Sequence, residues 1–121
     1  MRDKVNDYAR IHLMLESIDN INEFLAGIDS FNAFEGNKLL RHAVIYNLQC
    51  IGESVYMLSK EFRTAHTAID WDVIEGLRHV LVHDYFQVDM ETVWGIIQQD
   101  LSPLKAQLLS ILSQGEQTSQ Q

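Results

Sequence analysis

Apolar residues recur at alternating steps of three and four along almost the whole chain, a spacing that suits little except amphipathic helices. Ile11, Met14, Ile18, Ile21, Leu25 and Ile28 form one stripe, which predicts a first helix over about residues 3–28. Leu40, Val44, Leu48, Ile51, Val55, Leu58 and Phe62 form a second, over about 38–62. Between them Asp29, Ser30, Asn32, Gly36 and Asn37 mark a loop in which Phe31 and Phe34 plug the core. Residues 63–69 interrupt the pattern, and Asp70 is placed to cap a shorter third helix whose Ile74, Leu77 and Leu81 face inward. Asp89 can cap a fourth, with Glu91 favoured in its first turn by the helix dipole. Val93, Ile97, Leu101, Leu104, Leu108 and Leu112 continue the core stripe. Pro103 lies within that run, where it either kinks the helix or, with Ser102 as cap, begins a fifth. The prediction is an all-α antiparallel bundle of four to five helices over residues 1–114, followed by a disordered polar tail over 115–121.

A chain of 121 residues that is 46% apolar can bury one continuous core without disulfides or a structural metal. The single cysteine, Cys50, has no partner for an internal bridge and reads as a small buried side chain beside Ile51. No apolar stretch reaches the roughly 18 residues a membrane helix needs. Met1-Arg2-Asp3-Lys4 runs straight into a charged helical pattern with no apolar signal region behind it, so a cytoplasmic protein is expected. Seventeen acids against nine bases give a net charge of −8. Such a surface repels a polyanion at long range, so a nucleic-acid role requires a small local basic site rather than a broad basic face.

The stretch with the richest chemistry is Gly76-Leu77-Arg78-His79-Val80-Leu81-Val82-His83-Asp84-Tyr85-Phe86. Glycine-rich phosphate loops, serine or cysteine elbows, CxxC pairs and His-Glu-x-x-His helices are all missing from the chain. His79 and His83 have the spacing of two zinc ligands on one helix face, but no third ligand is nearby, so no metal site is expected. Trp71 and Trp94 fall at core spacing and are expected to pack rather than stack on bases. Arg78 and His83 offer a different chemistry: a permanent planar cation suited to phosphate oxygens, and a side chain that exchanges protons near neutral pH. Together they suffice for metal-independent RNA cleavage by the ribose 2′-hydroxyl, His83 moving the proton and Arg78 stabilising charge on the phosphorus oxygens. The plainer reading is that Arg78 makes a surface ion pair with Asp84 or Asp72. On a straight helix, positions five apart lie about 140° around the axis. Arg78 and His83 therefore converge only near a helix end or across a symmetry mate, whereas Arg78 and Tyr85 share a face.

Arg78-x4-His83-x-Tyr85 in this setting closely resembles the signature of the HepT-like toxins of the HEPN superfamily. The resemblance extends to Asn47-Leu48-Gln49-Cys50-Ile51-Gly52-Glu53, to Val93-Trp94 and to Asp100-Leu101-Ser102-Pro103-Leu104, and covers about residues 1–112. It implies a HEPN fold and a homodimer whose two motifs face one cleft. It further implies a metal-independent endoribonuclease without a cofactor, acting on RNA as the toxin of a toxin–antitoxin pair. Arg78 and His83 carry over as catalytic residues. Tyr85 carries over as the hydroxyl that the antitoxin, a minimal nucleotidyltransferase, loads with AMP. His79, Asn47 and Glu53 carry over as supporting residues, although Asn47 and Glu53 could serve helix packing equally well. Two positions depart from the pattern: His79 stands where many relatives have asparagine, and Gln87 where glycine is common. The alternative reading is a non-catalytic nucleotide-binding module that docks onto a nucleotidyltransferase, a role that the acidic net charge suits.

Overall fold

The computed structural model describes residues 4–119 except 84–87, with backbone alone at 4, 5, 79–83 and 116–119. Seven helices and no strand occur among the described residues: α1 (Lys4–Phe24), α2 (Phe31–Glu35), α3 (Lys38–Tyr56), α4 (Lys60–Ala65), α5 (Trp71–His83), α6 (Met90–Gln99) and α7 (Leu101–Ser119). Five of them carry the bundle, and α2 and α4 are short connecting helices. α3 is central, packed most heavily against α1 and α5, while α7 packs on α1 and α6. The stripes read from the sequence meet there: Ile11, Met14, Ile18 and Ile21 of α1 and Val44, Leu48, Ile51 and Val55 of α3 are essentially inaccessible to solvent. Each such side chain contributes about 1.5–3 kcal/mol through burial. Phe34 is fully buried and stacks on Trp94 with ring centroids 5.3 Å apart, so α2 plugs one end of the bundle as the sequence suggested. No described helix is long and apolar enough to cross a membrane.

Four boundaries differ from the periodic reading. α1 stops at Phe24 rather than near 28, because the chain turns through Gly27, whose φ of 84° lies in the left-handed region that glycine adopts without steric cost. The single helix expected over 38–62 is two. α3 ends at Tyr56, and Ser59 takes an extended conformation and caps α4, its Oγ accepting from the Phe62 N–H at 3.1 Å. Phe62 stays in phase with the α3 stripe and is buried, so spacing alone could not reveal the break. At the other end, α7 begins at Leu101 without Ser102 as its cap. Pro103 sits in the first turn, where no intrahelical partner for its nitrogen is needed, so a further helix does start around it, two residues earlier than a Ser102 cap would place it. α7 then runs through Gly115 to Ser119, where a polar tail was anticipated. Gly115 fits because a Cβ there would lie 2.7 Å from the Tyr8 ring, so the glycine lets α7 and α1 approach closely.

The α4 cap depends on a group far away in sequence. Asp7, fully buried in the first turn of α1, accepts from the Ser59 backbone N–H at 2.8 Å and from its hydroxyl at 2.6 Å. Both oxygens of a buried carboxylate are thus satisfied, and removing them leaves two donors stranded. Asp7→Ala should therefore cost about 2–4 kcal/mol of unfolding free energy, a large loss for one polar side chain. Urea denaturation with an unchanged m-value reads this directly. A change below about 0.5 kcal/mol, the range of ordinary surface substitutions, would show that water replaces the carboxylate without penalty.

Candidate functional site

α5 carries the candidate motif, and its first turn is well anchored. The Asp70 carboxylate accepts from the Val73 N–H at 3.3 Å, as expected of a cap, and the buried Trp71 donates from Nε1 to the His66 carbonyl at 2.8 Å. The His66 imidazole lies against the Phe62 ring at 4.5 Å, and its burial pulls the imidazole below the ordinary histidine range. Arg63 forks onto Asp72 at 2.6 Å and Glu75 at 2.7 Å, tying α4 to the same stretch of α5. Asp72 is therefore engaged by Arg63 and is not the partner of Arg78.

Arg78 is held by α3. A Cβ on Gly52 would lie 2.6 Å from the Arg78 backbone nitrogen, so only glycine admits α5 this close at that point. One residue on, Glu53 Oε2 accepts from Arg78 Nε at 2.5 Å. One turn further, the guanidinium carbon lies 4.2 Å from the centroid of the Tyr56 ring. The Arg78 and Glu53 side chains are 35% and 51% exposed, so the ion pair is worth at most about 1 kcal/mol. Its consequence is orientation rather than stability. With Nε committed to Glu53, the terminal fork, the part of arginine that matches phosphate oxygens, has no partner among the described residues; Asp84, the other acid that the sequence offers it, lies outside them.

The other candidates do not all gather here. Asn47 is buried and faces α1, accepting from Asn20 Nδ2 at 3.2 Å and donating to the Ala43 carbonyl at 2.8 Å, so its polar atoms serve the α1–α3 contact. His79 and His83 are on α5, but their side chains lie outside the described residues, as does all of Tyr85. Cys50 is half-buried rather than buried, and its hydrogen bond with the exposed Tyr46 raises the phenol's pKa. Trp71 and Trp94 pack, as their spacing indicated. Among the described residues no group of three or more His, Cys, Asp or Glu is arranged to hold a metal ion. The sequence reading missed Tyr56 as a partner of Arg78; its only signal was position, one turn after Gly52 and Glu53.

Comparison with known proteins places this arrangement in a family. The profile of the ribonuclease HepT-like family matches residues 14–111, a span that holds α3, α5 and the whole contact between them. The chain belongs to the HepT-like ribonuclease family. A Methanocaldococcus jannaschii protein provisionally named an RNase is 35% identical over 100 residues, covering 83% of this chain and 91% of the relative. A Caldanaerobacter subterraneus protein, also provisionally named an RNase, is 35% identical over 99 residues, covering 82% of this chain and 88% of its own length. A Thermococcus cleftensis protein named probable ribonuclease HepT is 34% identical over 90 residues, 74% of this chain and 81% of that one. No solved structure gave a significant match.

Within this HepT-like chain the bases are unevenly spread in sequence: seven of the nine lie at or before Arg63, which is paired on α5, and Lys105 alone follows Arg78. Lys105 is itself paired with Asp19 at 2.8 Å on the α1–α7 side.

Proposed function

We propose that this HepT-like chain is a metal-independent endoribonuclease, the toxin of a toxin–antitoxin pair, working in the cytoplasm as a homodimer with no cofactor. The observation that carries the reading is Arg78 held through its Nε by Glu53, so that a phosphate would be met by its terminal fork. In the reaction the ribose 2′-oxygen attacks the adjacent phosphorus and the bond to the 5′-oxygen breaks. His83 accepts the 2′-hydroxyl proton and returns it to the leaving 5′-oxygen, and the products are a cyclic phosphate and a free 5′-hydroxyl. Arg78 stabilises the charge that grows on the non-bridging oxygens. His79 and Glu53 support these two groups, and Asn47 supports α3 from its α1 side. Tyr85 is the residue that a minimal nucleotidyltransferase antitoxin modifies with AMP.

The dimer follows from two features. Arg78 and His83 sit on one helix at positions about 140° apart, so a second copy is the simplest way to bring an arginine and a histidine onto one phosphate. The outer face of α3 also exposes large apolar side chains: Leu39 is 82% exposed and Tyr46 64% exposed, and that row leads one heptad further to Glu53 beside Arg78. Light scattering at micromolar concentration should give about twice the 14.0 kDa chain mass, and cleavage of single-stranded RNA in EDTA should fall as dilution dissociates the dimer. A monomer at every concentration would remove the shared cleft. A dimer that binds nucleotide yet never cleaves RNA would favour the docking module, which the net charge of −8 also suits.

A further inference from the structure

We infer that Tyr56 is a positioning residue for Arg78: its ring face sets the plane in which the guanidinium meets the phosphate. This rests on the nuclease reading above. Three α3 residues hold Arg78 along its length, each acting on a different part. Gly52 brings the α5 backbone against α3, and Glu53 takes Nε at 2.5 Å. Those two contacts leave one freedom, because a guanidinium anchored at Nε can still swing about that bond. The Tyr56 ring, with the guanidinium carbon 4.2 Å from its centroid, supplies the surface that removes it. Tyr56 is 40% exposed, so the ring is no plug for the core, and the Arg78 guanidinium lies over its face. An arginine held at both its edge and its plane loses little further freedom when the charge of the transition state develops, and such preorganisation raises turnover rather than affinity.

The test uses the full-length protein and three readouts: steady-state cleavage, thermal melting, and the Nε–H signal of Arg78 in 15N-edited NMR, assigned by its loss in Arg78→Lys. Tyr56→Met keeps bulk and helix propensity but has no aromatic face. It should lower kcat on the order of tenfold, change KM less than about twofold and broaden the Nε–H signal, with melting nearly unchanged. Tyr56→Phe, which keeps the face, should restore the rate and the sharp signal. An unbroadened signal in Tyr56→Met overturns the inference. So does a melting temperature that falls together with the rate, because the ring would then be structural. A Phe variant as impaired as Met would also overturn it, by assigning the effect to the hydroxyl. If the wild type never cleaves RNA while the signal still depends on the ring, the nuclease reading fails and the hold of Tyr56 on Arg78 stands.

Discussion

His83→Ala should abolish RNA cleavage while the protein keeps its helical signal and its activity-independent properties. A general base positioned in the transition state contributes about 10²–10⁴-fold, so the loss should be at least 100-fold by these magnitudes. The fold should tolerate the change because α5 is anchored upstream, by the Asp70 cap, the buried Trp71 and the inward Ile74 and Leu77. Arg78→Lys is the companion variant. It keeps the charge but loses both the Nε–H that Glu53 accepts and the fork, so a loss of about 10²–10³-fold is expected from removing one preorganised charge donor. Chelators should have no effect on the wild type, and the rate should depend on pH, because the group that moves the proton is a histidine. Activity retained in His83→Ala, or lost only on adding EDTA, would rule out the Arg/His mechanism.

How much of this was legible beforehand depends on whether the determinant was local. The α1 and α3 stripes, the Asp70 and Asp89 caps and the Phe34 plug all follow from residues within a few positions of one another, and all are present. The split between α3 and α4 was not legible, because the group that fixes Ser59 is Asp7, 52 residues away, and Phe62 keeps the apolar phase across the break. Gly115 read as the start of a tail because nothing near it in sequence announces Tyr8.

The site divides in the same way. Arg78 was singled out by residue type and spacing within one helix, but the residues that orient it come from another. Periodicity says that Glu53 and Tyr56 share the outer side of α3; it does not say which helix crosses there. Gly52 is the one sequence feature that hinted at the crossing, since a glycine amid good helix formers costs stability unless a neighbour comes close. For the same reason Asn47, in the same motif as Glu53, could be assigned on sequence to either neighbour of α3. Its bond with Asn20 assigns it to α1.

The second large effect concerns Tyr85, which lies outside the described residues, seven positions after Arg78 and two after His83. Loading it with AMP should reduce cleavage to background. In that reaction the phenol oxygen attacks the α-phosphorus of ATP, pyrophosphate leaves, and the tyrosine gains a phosphodiester with a negative charge. The attached phosphate resembles the substrate's own, and Arg78, held through Nε by Glu53, would meet it with its terminal fork. Inhibition should thus combine exclusion of RNA by the adenosine with occupation of the cation that the transition state needs. Co-expression with a cognate minimal nucleotidyltransferase should raise the intact mass by one or more AMP units, all mapping to Tyr85. Tyr85→Phe cannot accept the group and should escape neutralisation. Arg78→Lys should take up AMP normally, because it leaves the phenol in place, which separates modification from its consequence. AMP found on another residue, or a Tyr85→Phe protein still silenced by the partner's enzymatic activity, would sink the switch and leave the nuclease assignment to stand on His83 and Arg78 alone.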